Sequence, residues 1–180
     1  MQTYKLEIAL KELYSQVFRI VQNIHFYKEM FMSDFNVELL NDKAPLALNI
    51  IQVTLANDIM SSIFRLLDPL KSCGEDNLTL FILKEPLKEI NGTSQEFEKL
   101  EAIKKNYKNY RHKILSHNDL NRVISFDDSE RIIFPWKAIE EFSEASSKII
   151  KYAYLSLLKT EVSFDIDYDI GEKLLKSLGA

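Results

Sequence analysis

Apolar side chains recur at alternating steps of four and three positions in the N-terminal part of the chain. The members of this stripe are Leu6, Leu10, Leu13, Val17, Ile20, Ile24, Tyr27 and Phe31. This spacing places all of them on one side of an α-helix. Tyr14, Phe18 and Val21 widen the stripe. The pattern predicts a long amphipathic helix over residues 3–32 that packs against more than one neighbour, with His25 beside the stripe as a partly buried histidine with a backbone partner.

A second apolar pattern predicts another long helix, which begins near Pro45. Its buried face should comprise Leu48, Ile51, Leu55, Ile59, Ile63 and Leu66. Asn41 or Asp42 is the expected N-cap, and Pro45 suits the first helical turn, where its missing N–H costs nothing. The helix should end near Asp68-Pro69, because the residue before a proline disfavours the helical conformation.

The rest of the chain alternates between turn signals and further helical patterns. We predict a loop over 71–76, a short helix over 78–90 interrupted at Pro86, a helix capped by Thr93 or Ser94 that runs towards Ile114, a helix over 135–158 and a short terminal helix over 169–178. A strand-like run at 123–126 predicts a minor β-hairpin with 132–134. Because no linker or repeat divides the chain, we expect one all-α domain over residues 1–180, an up-and-down bundle of about five helices.

Composition and charge narrow the function more than the fold. The 180 residues are 46% hydrophobic and 28% charged, and they include four glycines and four prolines. These values are typical of a soluble, helical protein. The net charge of −4 argues against a general nucleic-acid binder, but an enzyme that contacts a few phosphates locally stays open. With one cysteine, no signal-peptide pattern and no window of membrane-spanning length, we expect a cytoplasmic protein.

The densest chemistry lies between Tyr110 and Asp119. This segment holds Arg111, one of only five arginines, and two of the three histidines, His112 and His117. Arginine carries a fixed charge and a planar donor fork that suits phosphate, and histidine exchanges protons near neutral pH. The segment is therefore suited to holding a phosphodiester and moving a proton.

Helical spacing argues against a self-contained site in this segment. Arg111 and His117 are six positions apart, roughly 120° around an ideal helix. Either the helix ends before His117, or the two side chains converge with groups from another subunit. A metal site is disfavoured because His112 and His117 are five apart rather than four. A triad of Ser116, His117 and Asp119 is disfavoured too, because adjacency in sequence does not create triad geometry.

The run Arg111-His112-Lys-Ile-Leu-Ser-His117 resembles the signature of the HEPN superfamily (higher eukaryotes and prokaryotes nucleotide-binding domains). In that signature an arginine and the polar residue after it begin a run of four to six positions, and a histidine follows the run. The segments Ser61–Pro69 and Asn77–Leu80 look like the abortive-infection AbiU-type branch. The resemblance in helix order spans roughly residues 3–158.

The resemblance implies a metal-independent endoribonuclease without a cofactor, usually a homodimer in which both motifs line one cleft. His117 would assist the attack of the 2′-hydroxyl or protonate the leaving oxygen. Arg111 would hold the scissile phosphate and stabilise its developing charge, and His112 would orient the phosphate or tune His117. The products would be a 2′,3′-cyclic phosphate and a 5′-hydroxyl, and DNA would be refused.

Further residues are assigned to this site with less specific chemistry. On a continuous helix Lys104 and Lys108 would share a face with Arg111. We expect RNA to contact Lys104, Lys108, Lys113 and Asn118. Asp58, Arg65 and Asp68 share one flank of the second helix and are interpreted either as support for the site or as an internal salt bridge.

Two other functions stay open at this point. One is a non-catalytic helical module that binds RNA, a nucleotide or a partner protein, which the negative net charge favours. The other is a structural helical protein in which Arg111 pairs with a carboxylate such as Asp68 or Asp119. For the ribonuclease we expect RNA, a second copy of the chain and a nucleotidyltransferase-type antitoxin as partners, no membrane, and a role in phage defence or a toxin–antitoxin pair.

Overall fold

The computed structural model describes residues 3–108, 135–166 and 170–179. The α-helices in these ranges are α1 (Thr3–Phe31), α2 (Asp34–Lys43), α3 (Pro45–Leu66), α4 (Thr93–Asn106), α5 (Trp136–Ala153) and α6 (Ile170–Leu178). Two short antiparallel strands, β1 (Lys71–Ser72) and β2 (Glu75–Asp76), form the sheet of the described residues. The predicted all-α fold with a minor hairpin is confirmed. The hairpin lies where a loop was expected, and the predicted one at 123–134 lies outside the described residues.

Helix α1 forms the centre of the bundle, as its apolar stripe predicts. Leu10, Leu13 and Val17 are completely buried, and the helix packs against α3, α5 and α6. Tyr14, one of the residues that widen the stripe, contacts the ring of Phe164 at a centroid distance of 5.3 Å. The broad stripe therefore packs against several neighbouring elements, and each of them covers a different part of it.

Helix α2 is an element that the sequence interpretation missed. It buries Leu40 and packs against α1 and α3. The Asn36 side-chain amide donates to the Glu29 carbonyl oxygen at 2.7 Å and fixes α2 to the end of α1. Its apolar and polar side chains are poorly separated between faces, so its sequence shows no clear helical period. Asn41 and Asp42 belong to α2, so their prediction as caps of the next helix is wrong.

Helix α3 begins at Pro45 as predicted, with Ala44 rather than a polar side chain at its N-cap. It is apolar on its outer side as well: Leu46, Ile50 and Val53 are 75%, 57% and 51% exposed. Among the described residues, α3 is the helix long and apolar enough to cross a membrane by length and composition, with 22% of that window buried. The expectation that no window is long enough is therefore wrong, although core helices of soluble proteins pass the same test.

The helix predicted over 78–90 is instead a 3₁₀ turn, Leu80–Leu83, followed by irregular turns. Its apolar side chains still reach the core, since Leu80, Leu83 and Leu87 are fully buried. Thr93 does not cap α4 as predicted. Its hydroxyl donates to the carbonyl oxygens of Leu87 and Ile90 at 2.9 and 2.8 Å, and thereby ties the start of α4 to the preceding turns.

The packing of α4 against α5 is the most extensive contact between helices in the described part of the chain. Its apolar centre consists of Phe97, Leu100, Ile103, Phe142, Ala145 and Ile149. At its edge the buried carboxylate of Glu96 lies 3.0 Å from Lys99 Nζ and 3.5 Å from Lys148 Nζ. A hydrogen bond from Lys148 lowers the pKa of Glu144 and raises that of Lys148.

A π-helical turn, Tyr154–Leu158, continues α5 to the predicted end of the fifth helix. The chain then returns along α1, where the Tyr14 hydroxyl donates to the Ser163 carbonyl oxygen at 3.0 Å. Burial raises the pKa of the Tyr154 hydroxyl in this region. His25 on α1 is partly buried as expected, but its Nε2 lies 3.2 Å from a Glu29 carboxylate oxygen rather than at a backbone group.

Candidate functional site

The residues predicted to perform the reaction lie outside the described part of the chain. These are Arg111, His112 and His117, together with the predicted RNA contacts Lys113 and Asn118. Their roles stay predictions. The structure does describe the other site residues. Lys104 lines one cleft near the end of α3, Arg65 and Asp68 line a second, and Asp58 and Lys108 line neither.

The first cleft lies beside the C-terminal half of α4 and has a volume of about 600 Å³. It is lined by Pro69, Leu70, Phe81, Lys84, Glu85, Lys88, Glu101 and Lys104. Lys84 pairs with Glu101 at 2.6 Å, and Lys88 pairs with Glu85. The described lining residues thus include three lysines and two glutamates. We call this cavity the α4 cleft.

Lys104 lies at the wall of the α4 cleft, as a predicted RNA contact should. Its ammonium group lies 5.0 Å from the centre of the Phe81 ring, a cation–π contact that holds the side chain over the cleft. Lys108 is exposed but is not on the same regular helix, because α4 ends at Asn106 and Tyr107 forms a turn. The predicted continuous helix is therefore interrupted at Tyr107. Its continuation from residue 109 towards Ile114 lies outside the described residues.

The second cleft lies between α1 and the end of α3 and has a volume of about 520 Å³. It is lined by Glu12, Ser15, Gln16, Arg19, Arg65, Asp68, Asn77 and Leu78. The first four occupy one face of α1, at steps of three, one and three, opposite the buried stripe. We call this the arginine cleft, because it brings two of the five arginines of the chain to one cavity.

The floor of the arginine cleft is shaped by the sequence between Asp68 and Asn77. Helix α3 stops at Leu66, and Pro69 prevents its continuation. The Asn77 side-chain amide then donates to the Pro69 carbonyl oxygen at 2.8 Å and to the Ser72 hydroxyl at 2.9 Å, which closes the β1–β2 hairpin against the helix end. This turn separates the two clefts, with Asp68 on one side and Pro69 on the other.

The three supporting residues predicted on α3 do not stay together. Arg65 and Asp68 line the arginine cleft. Asp58 accepts a hydrogen bond from the Asn23 side chain at 3.1 Å and is not part of the cleft lining. Asp58 lies seven positions before Arg65, about two helical turns away, and its hydrogen-bond partner there is Asn23 on α1.

Arg19 is the residue that sequence reasoning missed. It is exposed in the arginine cleft and makes no hydrogen bond or ion pair with any residue of the described ranges. Arg65 Nη2 donates to the Ser62 hydroxyl at 2.6 Å, a neutral acceptor that leaves the guanidinium charge uncompensated by this bond. The available signal was the rarity of arginine combined with the position of Arg19 on the polar face of an otherwise core-forming helix.

The model of the AbiU2 family of HEPN proteins matches residues 4–172. The chain belongs to the AbiU2 family. No curated protein and no solved structure matches it. The resemblance seen in the sequence is thereby confirmed. Membership indicates an abortive-infection protein of HEPN type, and HEPN domains are typically ribonucleases.

The AbiU2-family match covers both clefts and the Arg111–His117 segment. Within the described ranges, no group of three or more histidine, cysteine, aspartate or glutamate side chains is arranged to hold a metal ion. That finding does not reach the segment outside those ranges, so a metal-free reaction stays a prediction. What the structure describes is the α4 cleft, the arginine cleft and the turn between them.

Proposed function

We propose that this AbiU2-family protein is a metal-independent endoribonuclease of the phage-defence or toxin–antitoxin type. The observation that carries the proposal is the family match over residues 4–172, which includes Arg111 and His117 at the HEPN spacing. In the proposed reaction the 2′-hydroxyl attacks the adjacent phosphate. The leaving 5′-oxygen takes a proton, and a 2′,3′-cyclic phosphate remains.

His117 is proposed as the proton-transfer residue and Arg111 as the group that holds the phosphate. A histidine with an ordinary pKa exists in both protonation states near neutrality, so it can donate or accept the proton. A guanidinium stabilises the charge that develops on the phosphate oxygens. His112 is proposed to orient the phosphate or His117. RNA is selected because DNA lacks the attacking hydroxyl.

The described residues support an RNA path beside this motif. Arg111 follows Lys108 by three residues, so covalent geometry limits the distance between their Cα atoms to about 11 Å. Lys108 is exposed, and Lys104 lies at the wall of the α4 cleft. Cations at these positions are suited to phosphates next to the bond that is cleaved. Lys113 and Asn118 are proposed as further contacts in the same path.

We propose that two copies of the chain assemble to complete the site, since Arg111 and His117 do not converge on one ideal helix. The outer face of α3 is the proposed contact. Residues 44–57 carry no charged side chain, and Leu46, Ile50 and Val53 are more than half exposed. Because each copy has a net charge of −4, an uncharged apolar face is where two copies can meet with least repulsion.

The decisive experiment measures cleavage of single-stranded RNA in the presence of EDTA. We expect cleavage products with a cyclic phosphate end from the unaltered protein and none from Arg111→Ala/His117→Ala. Lys151→Ala is the control, because Lys151 is exposed on α5 and lies outside both clefts. Equal cleavage by the double variant would refute the proposal.

A non-catalytic RNA-binding module is the second proposal, and the charge distribution favours it. Lys84 and Lys88 in the α4 cleft pair with glutamates, which reduces the cationic surface that the cleft offers to RNA. A module of this kind binds RNA with an affinity that falls with salt but forms no product on long incubation. In either case we propose a cytoplasmic protein. For the ribonuclease we also propose a nucleotidyltransferase-type antitoxin as the partner that would neutralise it.

A further inference from the structure

The arginine cleft has no role in the reaction proposed above, yet it has the properties of a ligand site. Its volume of about 520 Å³ falls in the usual range for small-molecule sites. Leu78 is the one apolar side chain among the lining residues that the structure describes, so the cleft suits a polar ligand. Three separate parts of the chain build it: α1, the end of α3 and the segment after the hairpin.

The two guanidinium groups of the cleft indicate that its ligand carries an anionic group. Arg19 and Arg65 come from different helices and open into the same cavity. Arg19 makes no hydrogen bond or ion pair within the described ranges, and Arg65 donates to a neutral hydroxyl. Both can therefore turn donors towards an anion, and the planar fork of arginine matches the oxygens of a phosphate.

The two carboxylates of the cleft limit the negative charge of the ligand and favour a hydrogen-bond donor beside its anionic group. Glu12 and Asp68 also line the cleft, so the charges of its four described charged side chains sum to zero. A triphosphate would place several negative charges beside these carboxylates, which costs energy through like-charge repulsion. A phosphodiester carries a single charge, and the ribose beside it offers a hydroxyl that can donate to a carboxylate.

We propose that the arginine cleft binds one nucleotide unit of single-stranded RNA, away from the bond that is cleaved. Arg19 and Arg65 hold its phosphodiester, and the carboxylate of Glu12 or Asp68 accepts a hydrogen bond from its 2′-hydroxyl. The choice of RNA as the ligand rests on the proposed function. The cleft adjoins the α4 cleft across the turn at Asp68-Pro69, so one strand can follow both.

The test measures binding of a labelled 12-nucleotide oligouridylate to the full chain carrying Arg111→Ala/His117→Ala, so that RNA stays intact. Adding Arg19→Ala should weaken binding about tenfold, because one charge-assisted phosphate contact is lost. The slope of log affinity against log salt should fall by about one. Arg19→Lys should recover part of the affinity, and Lys151→Ala should change nothing. An unchanged affinity with Arg19→Ala would overturn the proposal.

Two further probes test the ligand class. The matching oligodeoxyuridylate should bind more weakly than the RNA, and Glu12→Ala/Asp68→Ala should remove most of that difference. Should the double variant fail to fold, the affinities of the RNA and DNA oligomers are compared on the protein that keeps Glu12 and Asp68. Equal affinity for the two oligomers overturns the ribose contact. ATP should compete poorly. Strong competition by ATP that depends on Arg19 would overturn the RNA assignment in favour of a nucleotide triphosphate.

These outcomes separate the subsite from the catalytic proposal. Should the unaltered protein bind RNA through Arg19 without cleaving it, the arginine cleft stands and the ribonuclease proposal fails. Should it cleave RNA while Arg19→Ala leaves binding unchanged, the ribonuclease stands and the subsite fails.

Discussion

Replacing Gly171 with alanine should release α6 from the bundle. Gly171 lies in the first turn of α6 and is buried, and its N–H donates to a Glu29 carboxylate oxygen at 3.0 Å. A Cβ at this position would lie 2.6 Å from Glu29 Oε2 and 2.7 Å from Glu29 Cβ. The second distance decides the outcome, because Glu29 Cβ is attached to the backbone of α1 and cannot rotate away.

The expected magnitude follows from three effects. Forcing an extra carbon into a packed contact costs about 1–3 kcal/mol. Loss of the hydrogen bond to a carboxylate costs about another 1.5–3 kcal/mol. Alanine in a helix gains about 1 kcal/mol over glycine, which offsets only part of this. The net loss should be about 1.5–5 kcal/mol, or roughly 3–20 °C in melting temperature for a chain of this size.

Thermal unfolding and hydrogen exchange of the α6 amides measure this effect. Lys173→Ala is the matched control, because Lys173 is exposed on the same helix and should leave both readings unchanged. In a Glu29→Ala background the cost of Gly171→Ala should shrink, since the carboxylate is gone, but not vanish, since Cβ remains. A Gly171→Ala protein as stable as the original would refute the close packing of α6 on α1.

Two further predictions concern charge and assembly. The lowered pKa of Glu144 means that its contribution to stability is present above the ordinary value of 4.5 and is lost as pH falls through the folded-state pKa. Glu144→Gln should therefore lower stability to urea at pH 7, and the difference from the original protein should shrink at about pH 3; a difference independent of pH would contradict this. Ile50→Asp should raise the dimer dissociation constant about a hundredfold in light scattering, because it buries a charge in the proposed α3 contact. Lys151→Asp serves as its control, and an unaltered dimer would exclude this face.

The sequence predicted the long helices well because each buries a stripe of many turns. In α1 the stripe runs from Leu6 to Phe31, and the helix ends where the stripe ends. Two of the shorter elements were predicted wrongly, whereas the short terminal helix α6 was predicted because its apolar face is distinct. Helix α2 has no distinct apolar face. The apolar run at Leu80–Leu83 reaches the core from a 3₁₀ turn, which a local pattern does not distinguish from an α-helix.

The arginine cleft could not be predicted because it depends on which elements become neighbours. Glu12 and Arg19 stand on the polar face of α1, which in sequence looks like any solvated helix face. Only the end of α3 beside them turns that face into a cavity wall. Asp58 shows the converse: its spacing to Arg65 suggested a common site, but Asn23 on α1 engages it instead.

The acidic net charge and the proposed RNA path are compatible because they act over different distances. At physiological salt, charges separated by more than about 8 Å are largely screened, so the net charge of −4 has little effect on a phosphate already inside a cleft. It does reduce long-range attraction of nucleic acid. In the proposed RNA path, the affinity for RNA then comes from short contacts with Arg19, Arg65 and Lys104. A flexible single strand can bring its phosphates to both clefts, whereas a stiff duplex would have to bend around the turn at Asp68-Pro69.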